Sequence, residues 1–211
     1  MYVVYTRIDA QCERELGQTP VEDWPPLYRD RLAGMRSADA RLRTLAGLWL
    51  LGHGLRATGV DAACLARIGF SVDGRPEIAG GPAFSISHSE TLVACAISGT
   101  AAVGLDVEAR QPFRFARMAR LMTAEEQRIV AAEPVRFYDF WCAREATVKA
   151  TGRVGLARIK RLRLHADRAH LDGRDWPLRA LALEPGYAAW LASDRPFDTV
   201  RTEYVAIGAR A

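Results

Sequence analysis

Val103-Gly104-Leu105-Asp106-Val107-Glu108 alternates apolar and polar residues, the period of a strand with Val103, Leu105 and Val107 on one face and both carboxylates on the other. Downstream, Trp141-Cys142-Ala143-Arg144-Glu145-Ala146-Thr147-Val148-Lys149 lies in a stretch with Phe137, Phe140 and Trp141 at helical spacing, opened after Pro134 and stopped at Gly152. Working outward, a first helix is expected from a Ser37 N-cap, with Leu42, Leu45, Ala46 and Trp49 as its buried stripe, ending by Gly59. Four β-like runs follow it, Arg67 to Val72, Phe84 to His88, Leu92 to Ser98 and Ala101 to Glu108, punctuated by Asp73-Gly74, Gly80-Gly81-Pro82 and Ser98-Gly99-Thr100. The second half repeats the order. Helical segments are expected near Phe115 to Leu121 and at Thr123 to Ala132, where Thr123 and Glu126 stand in capping-box spacing, and then the long helix. Strands are expected at Ile159 to His165, Ala180 to Leu183, Tyr187 to Ala192 and Val200 to Ile207. Helix followed by strands, twice, gives an α+β class with antiparallel sheets, and two halves, 1–100 and 101–211, packed as one unit.

Composition narrows the class. The 211 residues are 49% hydrophobic and 26% charged, ordinary for a globular chain with a real core, which excludes fibrous and disordered classes. The longest apolar stretch, Leu45 to Leu51, is far short of the roughly 20 residues of a membrane span, and Met1 to Tyr5 lacks the pattern of a secretory signal. A cytoplasmic protein without membrane attachment is expected. Cys12, Cys64, Cys95 and Cys142 are scattered and His53, His88, His165 and His170 do not cluster, so neither a zinc site nor a disulfide framework is indicated. The net charge of +4 favours an anionic partner. Of the 29 basic residues only Lys149 and Lys160 are lysines, which draws attention to Lys149 on the long helix.

Several residues could carry chemistry, and each has a plainer reading. Asp106 and Glu108 on one strand face repel unless a cation lies between them, and magnesium takes such oxygen ligands; the plainer reading is an acidic solvent face. Glu145 and Lys149, at i and i+4, are either an exposed ion pair or a base beside a phosphate-binding point charge. Phe84-Ser85-Ile86-Ser87-His88-Ser89 ends a strand in hydroxyls and an imidazole, but Ser87 and His88 point to opposite faces and no GxSxG elbow exists, so a serine hydrolase is not indicated. Arg75, in Asp73-Gly74-Arg75-Pro76, is a turn residue or a phosphate contact. Arg29, Arg31, Arg36, Arg41 and Arg43 form a basic run opposed by Asp30 and Asp39.

In joint order these segments resemble the 4'-phosphopantetheinyl transferase superfamily, in its larger, surfactin-synthetase-activating type. The family's glycine-lysine-proline turn is matched by Gly74-Arg75-Pro76, its serine-histidine-serine strand end by Ser87-His88-Ser89, its GxDxE strand by Gly104 to Glu108, and its WxxKExxxK helix by Trp141 to Lys149. Arg43-Thr44-Leu45-Ala46-Gly47 looks like its arginine-bearing helix start, while Arg75 and Arg144 stand where it usually has lysine. The resemblance implies two similar α+β halves related by a pseudo-twofold, each a helix on a small antiparallel sheet, with the active site between them. It implies transfer of the phosphopantetheine arm of coenzyme A to a serine of an apo acyl or peptidyl carrier protein, releasing 3',5'-ADP. Asp106, Glu108 and Glu145 would ligate Mg²⁺, or Mn²⁺; Lys149 would bind the α-phosphate; His88 the pyrophosphate; Arg43, Arg75 and Ser87 the 3'-phosphate or adenine end. Glu145, directly or through a water, would take the serine's proton. Which of Arg29, Arg31 and Arg36 would approach coenzyme A is left open, as is the carrier's pathway.

Carrier domains in such chemistry are acidic, and Phe113 to Met122, with Arg114, Arg117 and Arg120 among Phe113, Phe115, Met118, Leu121 and Met122, is the expected docking surface; an ordinary amphipathic helix is the plainer reading. A monomer is expected. Two other functions compete: a coenzyme A binder without activity, and a basic nucleic-acid-binding module. The second lacks any finger, RRM signature, basic zipper or aromatic interleaving of its arginines.

Overall fold

The computed structural model describes residues 1–111, 118–153 and 155–208. The expected helix at Phe115 to Leu121 and most of the expected docking segment therefore lie outside the described residues; only Met118 onward is seen, with a single 3₁₀ turn at Ala119–Leu121. Among the described residues no helix is long and apolar enough to cross a membrane. Helices and sheets are mixed in both of two compact units, Met1–Thr100 with Asp198–Ala211, and Ala101–Phe197, an α+β architecture.

The first unit begins with β1 (Tyr2–Arg7), α1 (Ala10–Gln18), α2 (Pro26–Ala33) and α3 (Ala38–Ala57). The Ser37 side chain caps α3 by accepting from the Ala40 amide at 3.2 Å, as the sequence predicts. The burial of α3 is wider than one stripe: Leu45, Ala46, Leu48, Leu50, Leu51 and Leu55 are all buried, while Leu42 and Trp49 only border the core. After it come β2 (Ile68–Phe70), β3 (Pro76–Ile78), β4 (Ala83–Ser89) and β5 (Leu92–Ser98). Every residue of β5 is buried, because it lies between β1 and β4, antiparallel to both. The expected all-antiparallel sheet is corrected at one edge. The chain's last strand, here β11 (Arg201–Tyr204), pairs parallel to β1 with Tyr2 opposite Arg201, so Asp198–Ala211 groups with the first unit rather than with residues 101–197.

The second unit runs β6 (Val103–Ala109), α4 (Ala124–Ala132), α5 (Arg136–Ala150), α6 (Leu156–Arg161), β7 (Arg163–Leu164), β8 (Arg168–Leu171), β9 (Arg174–Ala180) and β10 (Tyr187–Ser193). Its sheet is antiparallel in the order β6-β10-β9-β8-β7. The capping box of α4 is complete: Glu126 donates its amide to the Thr123 hydroxyl at 3.2 Å and accepts from the Thr123 amide at 2.7 Å. The strand expected at Ile159 to His165 is instead α6 followed by the short β7. Ile159 and Leu162, buried at i and i+3, carry the helical period, and Arg158, Lys160 and Arg161 sit in its last turn, where the helix dipole favours cations. The strand expected at Ala180 to Leu183 is displaced as well; β9 ends at Ala180 and contains Pro177.

α5 packs on β6 and β10 and buries Ala143, Ala146, Val148 and Ala150 in a core with Ile159, Leu162, Leu171 and Trp176. The close approach turns on Gly104. A β-carbon there would collide with the Ala146 carbonyl oxygen and stand 2.5 Å from the Ala150 amide nitrogen, so only glycine lets the helix backbone lie this near the strand.

Candidate active site

The contact at Gly104 lays the helix of Glu145 and Lys149 across the strand of Asp106 and Glu108. Lys149 Nζ donates to Asp106 Oδ1 at 2.6 Å and to the Leu105 carbonyl at 3.2 Å. The i,i+4 pair is therefore not an exposed helix ion pair, since the ammonium binds the strand. Nor is Asp106 on a solvent face: it is 4% exposed, and Glu108 and Glu145 are half-buried.

Burial pushes the Glu145 carboxyl above its ordinary 4.5, and the charges of Asp106 and Glu108 push the same way, while Lys149 pulls it down. Burial works against the Lys149 ammonium, yet the adjoining Asp106 carboxylate, its hydrogen bond and Glu145 outweigh it and hold the amine above its usual range. Cys142, wholly buried and 3.6 Å from the Ala188 carbonyl, has its thiol raised by burial and then by Asp106 and Glu108. One ammonium thus stands among three carboxylates that feel one another. The donor set is all oxygen, which suits a hard divalent cation such as Mg²⁺ in kind. Among the described residues, however, no three acidic, histidine or cysteine side chains stand as a cluster that could hold a metal ion, and Lys149 occupies Asp106 Oδ1.

Arg144, which stands where the resembled family usually has lysine, points inward. It is fully buried, and its Nη2 donates to Glu126 Oε2 at 2.7 Å, the same oxygen that caps the Thr123 amide. Its Nε and Nη1 find no hydrogen-bond acceptor among the described residues. No spacing in the sequence distinguishes this inward arginine from its outward neighbours.

The other expected residues lie in the first unit, where β4 and its turn gather them. Arg75 follows Gly74, whose φ of 77° makes the turn, and its guanidinium donates to the Phe84 carbonyl at 3.2 Å. Burial holds the pKa of this guanidinium below its ordinary value. Arg43 reaches the Glu90 carbonyl at 3.4 Å, just past the other end of β4. The two arginines are thus anchored at opposite ends of one strand. Ser87 is buried and His88 exposed, on opposite faces as the alternation predicts. Upstream, Arg29 is tied to the Trp24 carbonyl at 2.9 Å and the Glu22 carbonyl at 2.5 Å, and Arg31 lies over the Phe70 ring.

Comparison with known proteins reaches the second unit. Residues 102–204 match the family model of the 4'-phosphopantetheinyl transferase superfamily. The match makes this stretch similar to that superfamily's transferase domain. The match includes Asp106, Glu108, Glu145 and Lys149 and stops short of Arg43, Arg75, Ser87 and His88. No curated protein matches the chain.

Proposed function

We propose that the chain transfers the 4'-phosphopantetheine arm of coenzyme A to a serine hydroxyl of an acyl or peptidyl carrier protein. The observation that carries the reading is the bond from Lys149 Nζ to Asp106 Oδ1, which joins the superfamily's helix motif to its strand motif inside the matched segment. In the reaction the serine oxygen forms a bond to the phosphorus attached to pantetheine, the bond from that phosphorus to the bridging oxygen breaks, and 3',5'-ADP leaves.

The residues present suit those demands. Glu145, whose carboxyl sits above the usual range through burial and its acidic neighbours, is the base that takes the serine proton. Lys149, kept charged by Asp106, opposes the negative charge that grows on the leaving phosphate. Asp106, Glu108 and Glu145 are assigned to Mg²⁺, which would supply positive charge to the pyrophosphate; because they do not stand as a metal-holding cluster, binding requires Lys149 to release Asp106 Oδ1 and the carboxylates to draw together. His88 is assigned to the pyrophosphate, and Arg43, Arg75 and Ser87 to the 3'-phosphate and adenine end. Because Arg43 and Arg75 are anchored at opposite ends of β4, contact of both with one phosphate requires one of them to leave its backbone carbonyl. Arg120, exposed beside Leu121 and Met122, is the described part of the proposed carrier-docking segment; Phe113, Arg114, Phe115 and Arg117 lie outside the described residues.

Intact mass of a purified apo carrier, after incubation with the protein, coenzyme A and Mg²⁺, tests the reading. A gain of one phosphopantetheine is expected, absent with EDTA and with Glu108→Ala. Coenzyme A binding without transfer to several unrelated apo carriers would make the chain a binder instead.

A further inference from the structure

α6 and the strand after it carry a charge that the catalytic reading does not use. From Leu156 to Arg163 the sequence has four basic residues and no acid. Arg158 and Arg161 share one carboxylate, Asp172 in the turn between β8 and β9, at 2.5 and 2.8 Å. Arg163 donates Nη1 back to the carbonyls of Lys160, Arg161 and Leu162, which closes the helix end without a carboxylate. Lys160 is exposed, and its ammonium has no hydrogen bond or ion pair among the described residues. The same helix leaves an apolar side chain in solvent: Ile159 and Leu162 face the core, while Leu156 is 57% exposed. Leu156 and Lys160 stand at i and i+4, so the leucine and the free ammonium share one outward row, and Arg161, 64% exposed, lies beside it. α6 also rests against the 3₁₀ turn Ala119–Leu121, where Arg120 is exposed without a partner among the described residues and Leu121 packs on the core that holds Ile159 and Leu162.

We propose that the outward row of α6, Leu156, Lys160 and Arg161, together with Arg120, is a docking surface for an acidic and partly apolar face of the carrier protein. The inference rests on the proposed function for the identity of the partner and gives that partner a place on the chain. Charge complementarity selects the face: a surplus of cations around one exposed leucine attracts carboxylates grouped around an apolar side chain. Reach agrees with it. α6 packs on α5, and seven residues along the chain from Lys149 to Leu156 span at most roughly 25 Å. A domain of about 100 residues has a radius of gyration of about 13 Å, so one domain seated on α6 brings its serine within range of Glu145 and Lys149. Exposed charges of this kind act chiefly on encounter and on salt dependence, so the effect belongs in the KM for the carrier and not in coenzyme A binding.

The test is steady-state kinetics of phosphopantetheine transfer, varying apo carrier and coenzyme A in turn, at low and at high salt. The variants are Lys160→Glu, Lys160→Glu/Arg161→Glu, Leu156→Ser and, as control, Arg128→Glu, which reverses an exposed charge on α4. The double variant is expected to raise the carrier KM on the order of 10-fold at low salt and to flatten its salt dependence. Lys160→Glu and Leu156→Ser fall between it and the wild type, while kcat, the KM for coenzyme A, far-ultraviolet circular dichroism and the control stay unchanged. A carrier KM within twofold of wild type in all three α6 variants overturns the docking surface and leaves the proposed function standing. Loss, in those variants, of wild-type affinity for a fluorescent DNA duplex or for phosphatidylserine vesicles would then assign the surface to that anion. A coenzyme A KM that rises with the carrier KM overturns the proposal as well, because it places α6 at the coenzyme. Should the double variant unfold, Lys160→Glu decides alone, since its ammonium holds no partner. A wild-type chain that modifies no carrier overturns both readings.

Discussion

α3 and α5 each lie on the sheet of their own unit, yet they differ in what they bury and in where the glycine sits. α3 buries leucines, and its own Gly54 makes room for the Ile97 side chain of β5. α5 buries Arg144 and Thr147 and half-buries Glu145 and Lys149, and the room is made on the strand, by Gly104, for the helix backbone. A glycine on the helix lets a flexible strand side chain fill the gap, which suits an apolar core. A glycine on the strand brings two backbones together and leaves the long side chains on either side of the contact, Lys149 and Asp106, to meet. The first arrangement gains stability from apolar packing; the second places charges at a fixed separation and accepts buried polar groups to do so.

Breaking the buried polar pair is the strongest test of this difference. Arg144→Met leaves the 7% exposed Glu126 carboxylate without its guanidinium, and breaking such a pair costs about 3–5 kcal/mol. Urea unfolding measures it. Adding Glu126→Gln is expected to recover most of the loss, because glutamine removes the orphaned charge and still accepts from the Thr123 amide. An Arg144→Met chain as stable as the wild type would show that the interior of α5 does not depend on its charge pair.

The paired glycines give the next largest effect. At Gly104 the added methyl meets backbone, which cannot turn aside, and Gly104→Ala is expected to cost about 3 kcal/mol and to abolish the register of Lys149 on Asp106. At Gly54 the obstacle is the far end of the Ile97 side chain, and alanine gains about 1 kcal/mol of helix propensity, so Gly54→Ala is expected to change stability by no more than about 1 kcal/mol. Equal losses at the two positions would erase the contrast.

Much of this was legible before the structure, for reasons that are local. Ser37, and Thr123 with Glu126, announce helix starts by spacing alone, and β5 was read with its observed ends because the apolar run Leu92 to Ile97 stops at the turn Ser98-Gly99-Thr100. Asp106 and Glu108 were readable from alternation, and Glu145 with Lys149 from helical spacing, but their meeting was not, since it depends on Gly104 across the helix–strand contact. What was missed is tertiary. One of the two partners of β1 is a strand from the other end of the chain, β9 is hidden by its own Pro177, and α6 runs into the alternating Arg161-Leu162-Arg163-Leu164, although the i,i+3 burial of Ile159 and Leu162 marks a helix. Arg144 reads like any helix arginine until Glu126 folds over it.

The smallest effect probes the charge at the centre of the second arrangement. The Glu145 carboxyl is raised above 4.5 in the folded chain, so between that pH and its folded value the native state holds more proton than the unfolded chain. The contribution of Glu145 to wild-type stability therefore falls as pH rises through that window and levels off above it. Glu145→Gln has no proton to lose, and its stability relative to the wild type is expected to rise across the same window and then stay constant, read from urea midpoints between about pH 4 and pH 8 without divalent cations. Mg²⁺ is expected to act in the opposite sense at neutral pH: a cation that binds the ionised cluster stabilises the wild type and gives the variant less. A pH-independent difference would mean that neither burial nor the charges of Asp106 and Glu108 raise Glu145, and the charged face of α5 would then be no more strained than the leucine face of α3.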